Sequence, residues 1–465
     1  MDLERQEHGE MKMMKKKKHH VLVVPYPSQG HINPMLQFSK RLSSKGLSPT
    51  LATTSFISSA MNLPSTTGPV RLSSISDGFD LGGFPSAPSI GAYLSSLHHS
   101  GSRTLAGLLA EFREAGDPVD CVVYDAFLPW VLDVAKVHGI PGAAFFTQAC
   151  AVNYIYYLVH HGKMRLPLGD TPVRIPGLPP LELRDMPSFI CVSGSYPAYF
   201  ELVLHQFEGI ERADWVLVNT FYELEAEVVD EMSKDCPVLT IGPTIPSVYL
   251  DKRVTDDKEY GLNLFELDPS DCIGWLQTKP PRSTVYVSFG SMAALNEAQM
   301  AEIAWGVKST GFNFLWAVRT SEERKLPAKF KEEELGDTGL IVNWSPQMEI
   351  LSDAAVGCFF THSGWNSTIE ALSVGVPMVG MPQWTDQPTD AKLVEDVWRV
   401  GLRVLVGEDG IVTREEIRRC IMQVMGNEEM RTNAAKWKEL AVASVSPGGS
   451  SDRNIDLLVA GIAGP

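Results

Sequence analysis

The stretch VLVVPYPSQGHINPMLQFSKRLSSKGLSPTLATT, residues 21–54, predicts the fold class of this chain. It opens on a short, continuous apolar run, Val21–Val24, which is typical of a strand buried on both faces. Asn33 and Pro34 predict a helix N-cap followed by the first helical residue, and Gly46 predicts the end of that helix. The residues after Gly46 resume a strand pattern. Strand, helix and strand in this order form a βαβ unit, so we expect a parallel sheet.

Similar signals recur in two clusters, over about residues 20–240 and 283–440, and the stretch between them is rich in Pro, Asp and Lys. Such a composition is typical of a linker. We therefore expect an α/β protein with two Rossmann-like, doubly wound parallel-sheet domains that face a cleft, where the strands' carboxyl ends form the ligand site. The expected boundaries are a disordered leader over 1–18, an N-terminal domain over 19–245, a linker over 246–282, a C-terminal domain over 283–447 and a terminal segment over 448–465.

Composition excludes several classes of partner. The formal net charge of −16 argues against nucleic acid and against docking on an anionic membrane, because both depend on basic patches. The seven cysteines form no CxxC pair and no zinc-ligand spacing, which favours a reduced, cytoplasmic protein. No apolar run approaches roughly 18 residues, so we expect no membrane span.

Several motifs of nucleotide and hydrolase chemistry are absent. The sequence has no GxGxxG, GxxxxGK[ST], GxSxG or HExxH, which argues against dinucleotide-dependent dehydrogenases, P-loop enzymes and the common hydrolases. No two aspartates stand two residues apart, so no DxD pair is available to hold a metal on a nucleotide diphosphate. We therefore expect no metal and no cofactor.

Three polar residues follow three predicted strands of the N-terminal sheet. His31 comes after the first strand, Asp125 after CVVY and Thr147 after GAAFF. A histidine at a strand end is a candidate general base, and a neighbouring carboxylate would orient it and stabilise its protonated form. The alternative is that His31 and Asp125 only satisfy helix N-termini.

The segment FFTHSGWNSTIEALSVGVP, residues 359–377, predicts an anion site. A buried strand ends at His362, Gly364 allows a tight turn, and Asn366 and Ser367 open a helix whose free N–H groups and dipole attract anions. Glu370 lies one turn deeper, where its carboxylate could accept hydrogen bonds from ribose hydroxyls. The alternative is a plain strand, turn and helix with polar caps.

Residues 344–387, from WSPQ to WTDQ, closely resemble the signature box of the plant UDP-dependent glycosyltransferases of secondary metabolism, family 1. The resemblance extends over nearly the whole chain, through PSQGHINPML, YDAFLPW, VSFGS and the terminal GGSSDRNI. The segments FFTQACAVNYIYY and SVYLDKRV resemble the subgroup that glucosylates phenolic or carboxylic acids, terpenoids or steroids. The resemblance implies a GT-B fold with the acceptor in the N-terminal half, the nucleotide sugar in the C-terminal half and a terminal helix that packs back on the N-terminal domain.

The resemblance also implies a role for each residue of the box. Trp344 would stack on uracil, and the Ser345 backbone would bond the base. The ribose would be held by Gln347 and Glu370, and the diphosphate, around the Gly364 turn, by Ser291, His362, Asn366 and Ser367. The sugar would be contacted by Thr147, Trp365, Asp386 and Gln387. A glutamine at the end of the box indicates glucose. Ser345 and Ser363 depart from the residues common in relatives, but both are small, and we expect neither to abolish activity.

The mechanism that follows is an inverting transfer of glucose from UDP-glucose, with His31 as general base and Asp125 as its partner. We expect an apolar acceptor with one hydroxyl or carboxyl, and a monomeric enzyme. The candidate acceptor pocket consists of aromatic residues: Phe127, Trp130, Phe146, Tyr154, Tyr196, Tyr199 and Phe200. Two alternatives are a catalytically weak binding protein on the same scaffold and a Rossmann oxidoreductase. The presence of His31 and Asp125 argues against the first, and the missing GxGxxG against the second.

Overall fold

The structure is a computed structural model that describes residues 18–60, 66–192, 194–254, 257, 260–261, 269–332 and 336–464. Almost all of the expected leader over 1–18 therefore lies outside the described residues. The expected linker over 246–282 is described in part.

The N-terminal half contains a sheet of eight strands in the order β3-β4-β2-β1-β5-β6-β7-β8 within the described ranges. All neighbouring strands are parallel except β3 and β4. The strands are β1 (His20–Val24), β2 (Ser48–Thr54), β3 (Thr66–Thr67), β4 (Val70–Ile75), β5 (Cys121–Asp125), β6 (Gly142–Phe146), β7 (Trp215–Val218) and β8 (Leu239–Thr240). The strand order reverses between β1 and β5, and this switch point opens a crevice at the carboxyl ends of both strands.

The C-terminal half contains a parallel sheet of six described strands in the order β11-β10-β9-β12-β13-β14. The strands are β9 (Thr284–Ser288), β10 (Asn313–Ala317), β11 (Gly339–Val342), β12 (Val356–Thr361), β13 (Met378–Gly380) and β14 (Gly401–Arg403). Its switch point lies between β9 and β12. The prediction of two facing α/β domains is confirmed.

Helices cover both sheets, as the βαβ connections require. In the N-terminal half they are α1 (Gln29–Ser44), α2 (Ser55–Ala60), α3 (Ile90–Glu114), α4 (Trp130–Val137), α5 (Cys150–His160), α6 (Ser188–Cys191), α7 (Pro197–His205) and α8 (Tyr222–Ser233). In the C-terminal half they are α9 (Pro269–Leu276), α10 (Glu297–Ser309), α11 (Thr320–Glu323), α12 (Ala328–Glu332), α13 (Gln347–Ser352), α14 (Trp365–Val374), α15 (Gln387–Lys392), which continues as a π-helical turn (Leu393–Val397), α16 (Arg414–Gly426), α17 (Glu428–Val445) and α18 (Ser450–Ala463). None of the helices within the described ranges is long and apolar enough to cross a membrane.

Helix α1 begins five residues earlier than the sequence predicts. Its N-cap is Ser28, whose carbonyl accepts hydrogen bonds from the N–H groups of His31 and Ile32 at 3.0 and 2.9 Å. Asn33 is therefore not the N-cap, and Pro34 lies inside the helix. Because proline has no N–H, the carbonyl of Gly30, four residues before it, lacks an intrahelical donor.

Helix α18 packs on the N-terminal sheet although it follows the C-terminal domain in sequence. Ile455, Leu458 and Ile462 belong to the same apolar cluster as residues of α1 and β7. The amide of Asn454 donates to the carbonyl of Thr240 in β8 at 2.9 Å, and the Ser451 hydroxyl donates to the carbonyl of Gly242 at 2.6 Å. The last helix of the chain thus packs back on the N-terminal domain.

Candidate active site

A cleft of about 650 Å³ lies between the two sheets, within the usual size range of small-molecule sites. Residues from the carboxyl ends of strands in both sheets line it, so it lies where the two switch points face each other. One wall therefore comes from the N-terminal half and the other from the C-terminal half.

The N-terminal wall brings together the three strand-end residues that the sequence singles out. His31 Nδ1 lies 2.7 Å from Asp125 Oδ2 and 3.2 Å from the Thr147 hydroxyl. The Asp125 carboxylate also accepts the N–H groups of Tyr26 and Phe127 at 3.2 and 3.0 Å. Asp125 is 1% exposed, whereas the His31 side chain is 16% exposed at the cleft. The carboxylate is thus fixed behind the imidazole, and the pair has the geometry of a histidine base with its orienting acid.

The C-terminal wall forms an anion site at the N-terminus of α14. Its first turn offers N–H groups that have no acceptor within the helix, and the N-cap residue, Gly364, has no side chain to cap them. Gly290 and Gly364 flank the His362 imidazole so closely that a Cβ on either glycine would lie under 3 Å from it. Burial lowers the pKa of His362 to about 4, so its imidazole is neutral at pH 7. It can therefore donate a hydrogen bond to a phosphate but adds no positive charge.

Asn366 connects the two walls. Its side-chain amide donates at 2.7 Å to the carbonyl of Gly30, the carbonyl that Pro34 leaves without a helical partner. Asn366, an expected ligand of the diphosphate, is thus hydrogen-bonded in this structure to the residue that precedes His31.

Gln347 and Glu370, the expected ribose ligands, are bonded to each other. The Gln347 amide donates to Glu370 at 2.6 Å and to the Ser367 hydroxyl at 3.0 Å. The Tyr286 hydroxyl bridges Gln347 and Ser345. Burial raises the pKa of Glu370 to about 7, although hydrogen bonds from Gln347 and Tyr260 favour its ionised form. Gln347 and Tyr260 thus hold the Glu370 carboxyl in place on the C-terminal wall.

Asp386 and Gln387 lie at the start of α15, on the C-terminal wall. Asp386 Oδ2 accepts the N–H of Trp365 at 3.2 Å. The amide oxygen of Gln387 accepts the N–H groups of Gln383 and Trp384 at 2.8 and 3.1 Å, which leaves its amide nitrogen as the donor for a ligand. The expected UDP-sugar residues all line the cleft: Thr147, Ser291, Trp344, Ser345, Gln347, His362, Gly364, Trp365, Asn366, Ser367, Glu370, Asp386 and Gln387.

The predicted acceptor pocket needs correction. Phe127 and Tyr199 line the cleft, but the other five predicted aromatic residues do not: Trp130, Phe146, Tyr154, Tyr196 and Phe200. Phe146 stacks on Phe207 and is 1% exposed, because it is the last residue of a strand covered on both faces. Trp130 and Tyr154 are buried in the same apolar cluster, Phe200 packs against it, and Tyr196 is 53% exposed.

Other aromatic residues line this side of the cleft instead. Tyr26, Phe84, Tyr93, Phe189 and Trp384 line the cleft and were not predicted. Tyr26 lies two residues after β1, so the strand-end argument that found His31 also applies to it. Arg319, which follows β10, is another such strand-end residue, and its guanidinium donates to the carbonyls of Ser291 and Ala293.

Two family models match the chain. The model described as "Glycosyltransferase, N-terminal domain" matches residues 17–246, and the model described as "UDP-glucoronosyl and UDP-glucosyl transferase" matches residues 260–442. The UDP-glycosyltransferase 74F2 of Arabidopsis thaliana is 54% identical over 96% of this chain and 99% of its own length. A flavonol 7-O-beta-glucosyltransferase of the same plant is 50% identical over 97% and 99%. The chain belongs to the plant family 1 UDP-glycosyltransferases.

A solved structure extends this similarity to three dimensions. Os79 from O. sativa in complex with UDP matches with a TM-score of 0.90 and 42% identity over 95% of this chain and 100% of that one. The fold is therefore GT-B, and the protein is an enzyme, a UDP-glucosyltransferase, as the signature box predicts.

The electrostatics of this glucosyltransferase's cleft predict a weak salt dependence of UDP binding. Arg319 is the one lysine or arginine among the described residues that line the cleft, and its guanidinium is engaged with backbone carbonyls. We expect an increase from 50 to 500 mM NaCl to weaken UDP binding by no more than about fivefold, since salt screens exposed charges far more than oriented N–H groups. Isothermal titration calorimetry would measure this. A weakening of about 100-fold or more would contradict it.

The buried carboxyl of Asp390, close to Asp386, predicts a stabilising substitution. Asp390 is 0% exposed, and neither carboxyl oxygen has a donor among the described residues. Burial and then the nearby Asp386 carboxylate raise the pKa of Asp390 well above its usual value. The unfolded chain thus loses this proton at a lower pH than the folded chain does, so Asp390 destabilises the fold increasingly as the pH rises above about 4.

We therefore expect Asp390→Asn to increase the free energy of unfolding by about 1–3 kcal/mol at pH 8, because the amide can donate to Asp386 and carries no charge. The gain should be smaller at pH 5.5. Denaturant titration at the two pH values would measure it, with Asp456→Asn, on an exposed carboxylate, as the control. Equal gains at both pH values would show that the proton on Asp390 is not the cause.

Proposed function

We propose that the enzyme is an inverting transferase that moves glucose from UDP-glucose to a hydroxyl or carboxyl of a small apolar plant metabolite. The observation that carries this proposal is the 2.7 Å contact between His31 and Asp125, on the wall that faces the donor residues. With Nδ1 bound to Asp125, the His31 Nε2 is the nitrogen that can accept a proton from an acceptor.

The reaction has one chemical step. His31 Nε2 takes the acceptor proton while the acceptor oxygen bonds to the anomeric carbon of glucose, and the bond from that carbon to the UDP oxygen breaks on the opposite face. The buried Asp125 carboxylate stabilises the imidazolium that forms. The N–H groups of α14 and the neutral His362 stabilise the charge that grows on the leaving diphosphate. Attack from the opposite face converts the α-linked donor into a β-glucoside or β-glucose ester.

The chemistry of the acceptor wall supports an apolar acceptor. We call the aromatic lining of this side of the cleft the acceptor wall; it consists of six rings of the N-terminal half and one ring of the C-terminal half: Tyr26, Phe84, Tyr93, Phe127, Phe189, Tyr199 and Trp384. Such rings suit a flat or bulky apolar molecule that carries one polar group. The relative named a flavonol 7-O-beta-glucosyltransferase is consistent with this class.

We also propose that the enzyme needs no metal and works as a monomer in the cytoplasm. The described residues contain no group of three His, Cys, Asp or Glu side chains that could hold a metal. The seven cysteines are unpaired, and six of them are buried, as a reducing compartment would leave them.

One assay tests the proposed function. The enzyme is incubated in EDTA with UDP-glucose and a panel of phenols, carboxylic acids, terpenoids and steroids, and released UDP and glucoside mass are measured. We expect turnover of at least one acceptor and a β-configured product by NMR. An α product would overturn the inverting mechanism, activity lost in EDTA would overturn the metal-free mechanism, and UDP binding without any turnover would favour a binding protein.

A further inference from the structure

The residue before Asp386 adopts a backbone conformation that is rare for its type. Thr385 has a φ of +57°, in the left-handed region, where a β-branched side chain clashes with the backbone. Its position immediately before Asp386 and Gln387 means that this conformation sets the direction in which both side chains enter the cleft. Something outside the loop must hold it, because the residue's own preference is against it.

Ser188, from the N-terminal half, makes two hydrogen bonds with this one residue. The N–H of Ser188 donates to the carbonyl of Thr385 at 2.8 Å, and the N–H of Thr385 donates to the Ser188 hydroxyl at 2.7 Å. Both backbone polar groups of Thr385 are therefore satisfied by a single residue from the other side of the cleft.

Residues near Ser188 and Thr385 in sequence also contact each other. The Trp384 ring lies 6.0 Å from Phe189 and 5.8 Å from Tyr199, both on the acceptor wall. Further along, the Thr389 hydroxyl donates to the carbonyl of Asp185 at 2.8 Å. The contact around Ser188 thus joins the acceptor wall to the loop that carries Asp386 and Gln387.

We infer that Ser188 is a positioning residue for the glucose subsite: it holds Thr385 in the left-handed conformation and so aims the Asp386 carboxylate and the Gln387 amide at the sugar. This rests on the proposed function, in which those two residues contact glucose. Ser188, on the N-terminal half that binds the acceptor, thus affects how well the enzyme uses UDP-glucose. Uracil, ribose and diphosphate, which bind to other residues, should not depend on it.

The test compares the effect of Ser188→Ala on UDP and on UDP-glucose. We expect the Kd for UDP to stay within about twofold and kcat/KM for UDP-glucose to fall about tenfold, the loss that one net hydrogen bond of this kind predicts. Ser188→Thr, which keeps the hydroxyl, should retain wild-type kinetics. Ser195→Ala is the matched control, because the Ser195 hydroxyl donates to the carbonyl of Val192, which does not line the cleft.

A double-mutant cycle with Thr385→Gly tests the cause, because the bond from the Thr385 hydroxyl to the Asp386 carboxylate is lost in both glycine-containing enzymes and so cancels in their comparison. Glycine adopts the left-handed conformation freely, so Ser188→Ala should cost less than about threefold in that background. Equal losses in both backgrounds, equal losses for UDP and UDP-glucose, or no loss at all would overturn the inference. A wild-type enzyme that turned over no acceptor would instead contradict the proposed function.

Discussion

Replacement of His31 by alanine is expected to lower kcat for glucosyl transfer by about 10²–10⁴-fold, the range for loss of a general base. His31 is the titratable side chain on the N-terminal wall whose second nitrogen is available to an acceptor, since its first is held by Asp125. The Kd for UDP should stay within about twofold, because the donor ligands lie on the opposite wall. Initial rates of glucoside formation and calorimetry with UDP would measure the two effects.

The matched control is His98→Ala. His98 lies in the same domain but stacks on Trp130, which does not line the cleft, so its loss should leave kcat within about twofold. A His31→Ala enzyme that retains more than about one tenth of the wild-type kcat would refute the assignment of the base.

The contact between His31 and Asp125 could be predicted because it depends on the order of the strands in the sheet. His31 comes after β1, Asp125 ends β5 and Thr147 follows β6, and the carboxyl ends of these three strands meet at one edge of a parallel sheet. The alternation of strands and helices along the chain therefore places these three residues together, whichever rotamers their side chains adopt. The same argument extends to Tyr26 and Arg319, which follow β1 and β10.

The acceptor wall could not be predicted in this way, because it depends on which face of an element each ring occupies. Tyr154 lies on α5 and Phe146 ends β6, yet both turn into the core, where they stack on Tyr157 and Phe207. Trp384 packs on Tyr199 from the other half of the molecule. A sequence does not show such contacts between distant segments.

The contacts across the cleft are a second feature that local patterns do not show. The Asn33-Pro34 pair has the composition of a helix start, but the helix begins at Gln29, and the carbonyl that Pro34 leaves free is satisfied by Asn366. These two segments are more than 300 residues apart. A rule that uses only neighbouring residues to predict where a helix begins cannot include the Asn366 amide, which belongs to the other domain.

Replacement of Asp125 by asparagine is expected to lower kcat by about 10²–10³-fold, through its effect on His31. The carboxylate accepts three donors: the His31 ring and the N–H groups of Tyr26 and Phe127. An amide has one oxygen, so it cannot accept from both sides. If its NH₂ faces Phe127, two donors oppose each other in a buried site. If its NH₂ faces His31, it favours the tautomer with the proton on Nε2, which cannot act as a base.

The double variant His31→Ala/Asp125→Asn separates this role from a general weakening of the fold. If Asp125 acts only through His31, the double variant should be no slower than His31→Ala alone, because residues that act as a unit are strongly non-additive. Independent contributions would instead multiply, and the double variant would fall by a further 100-fold or so. Rates of the wild-type, both single variants and the double variant, measured with one acceptor at saturating UDP-glucose, decide between the two. A multiplicative loss would mean that the buried carboxylate supports the site by a route other than the His31 imidazole.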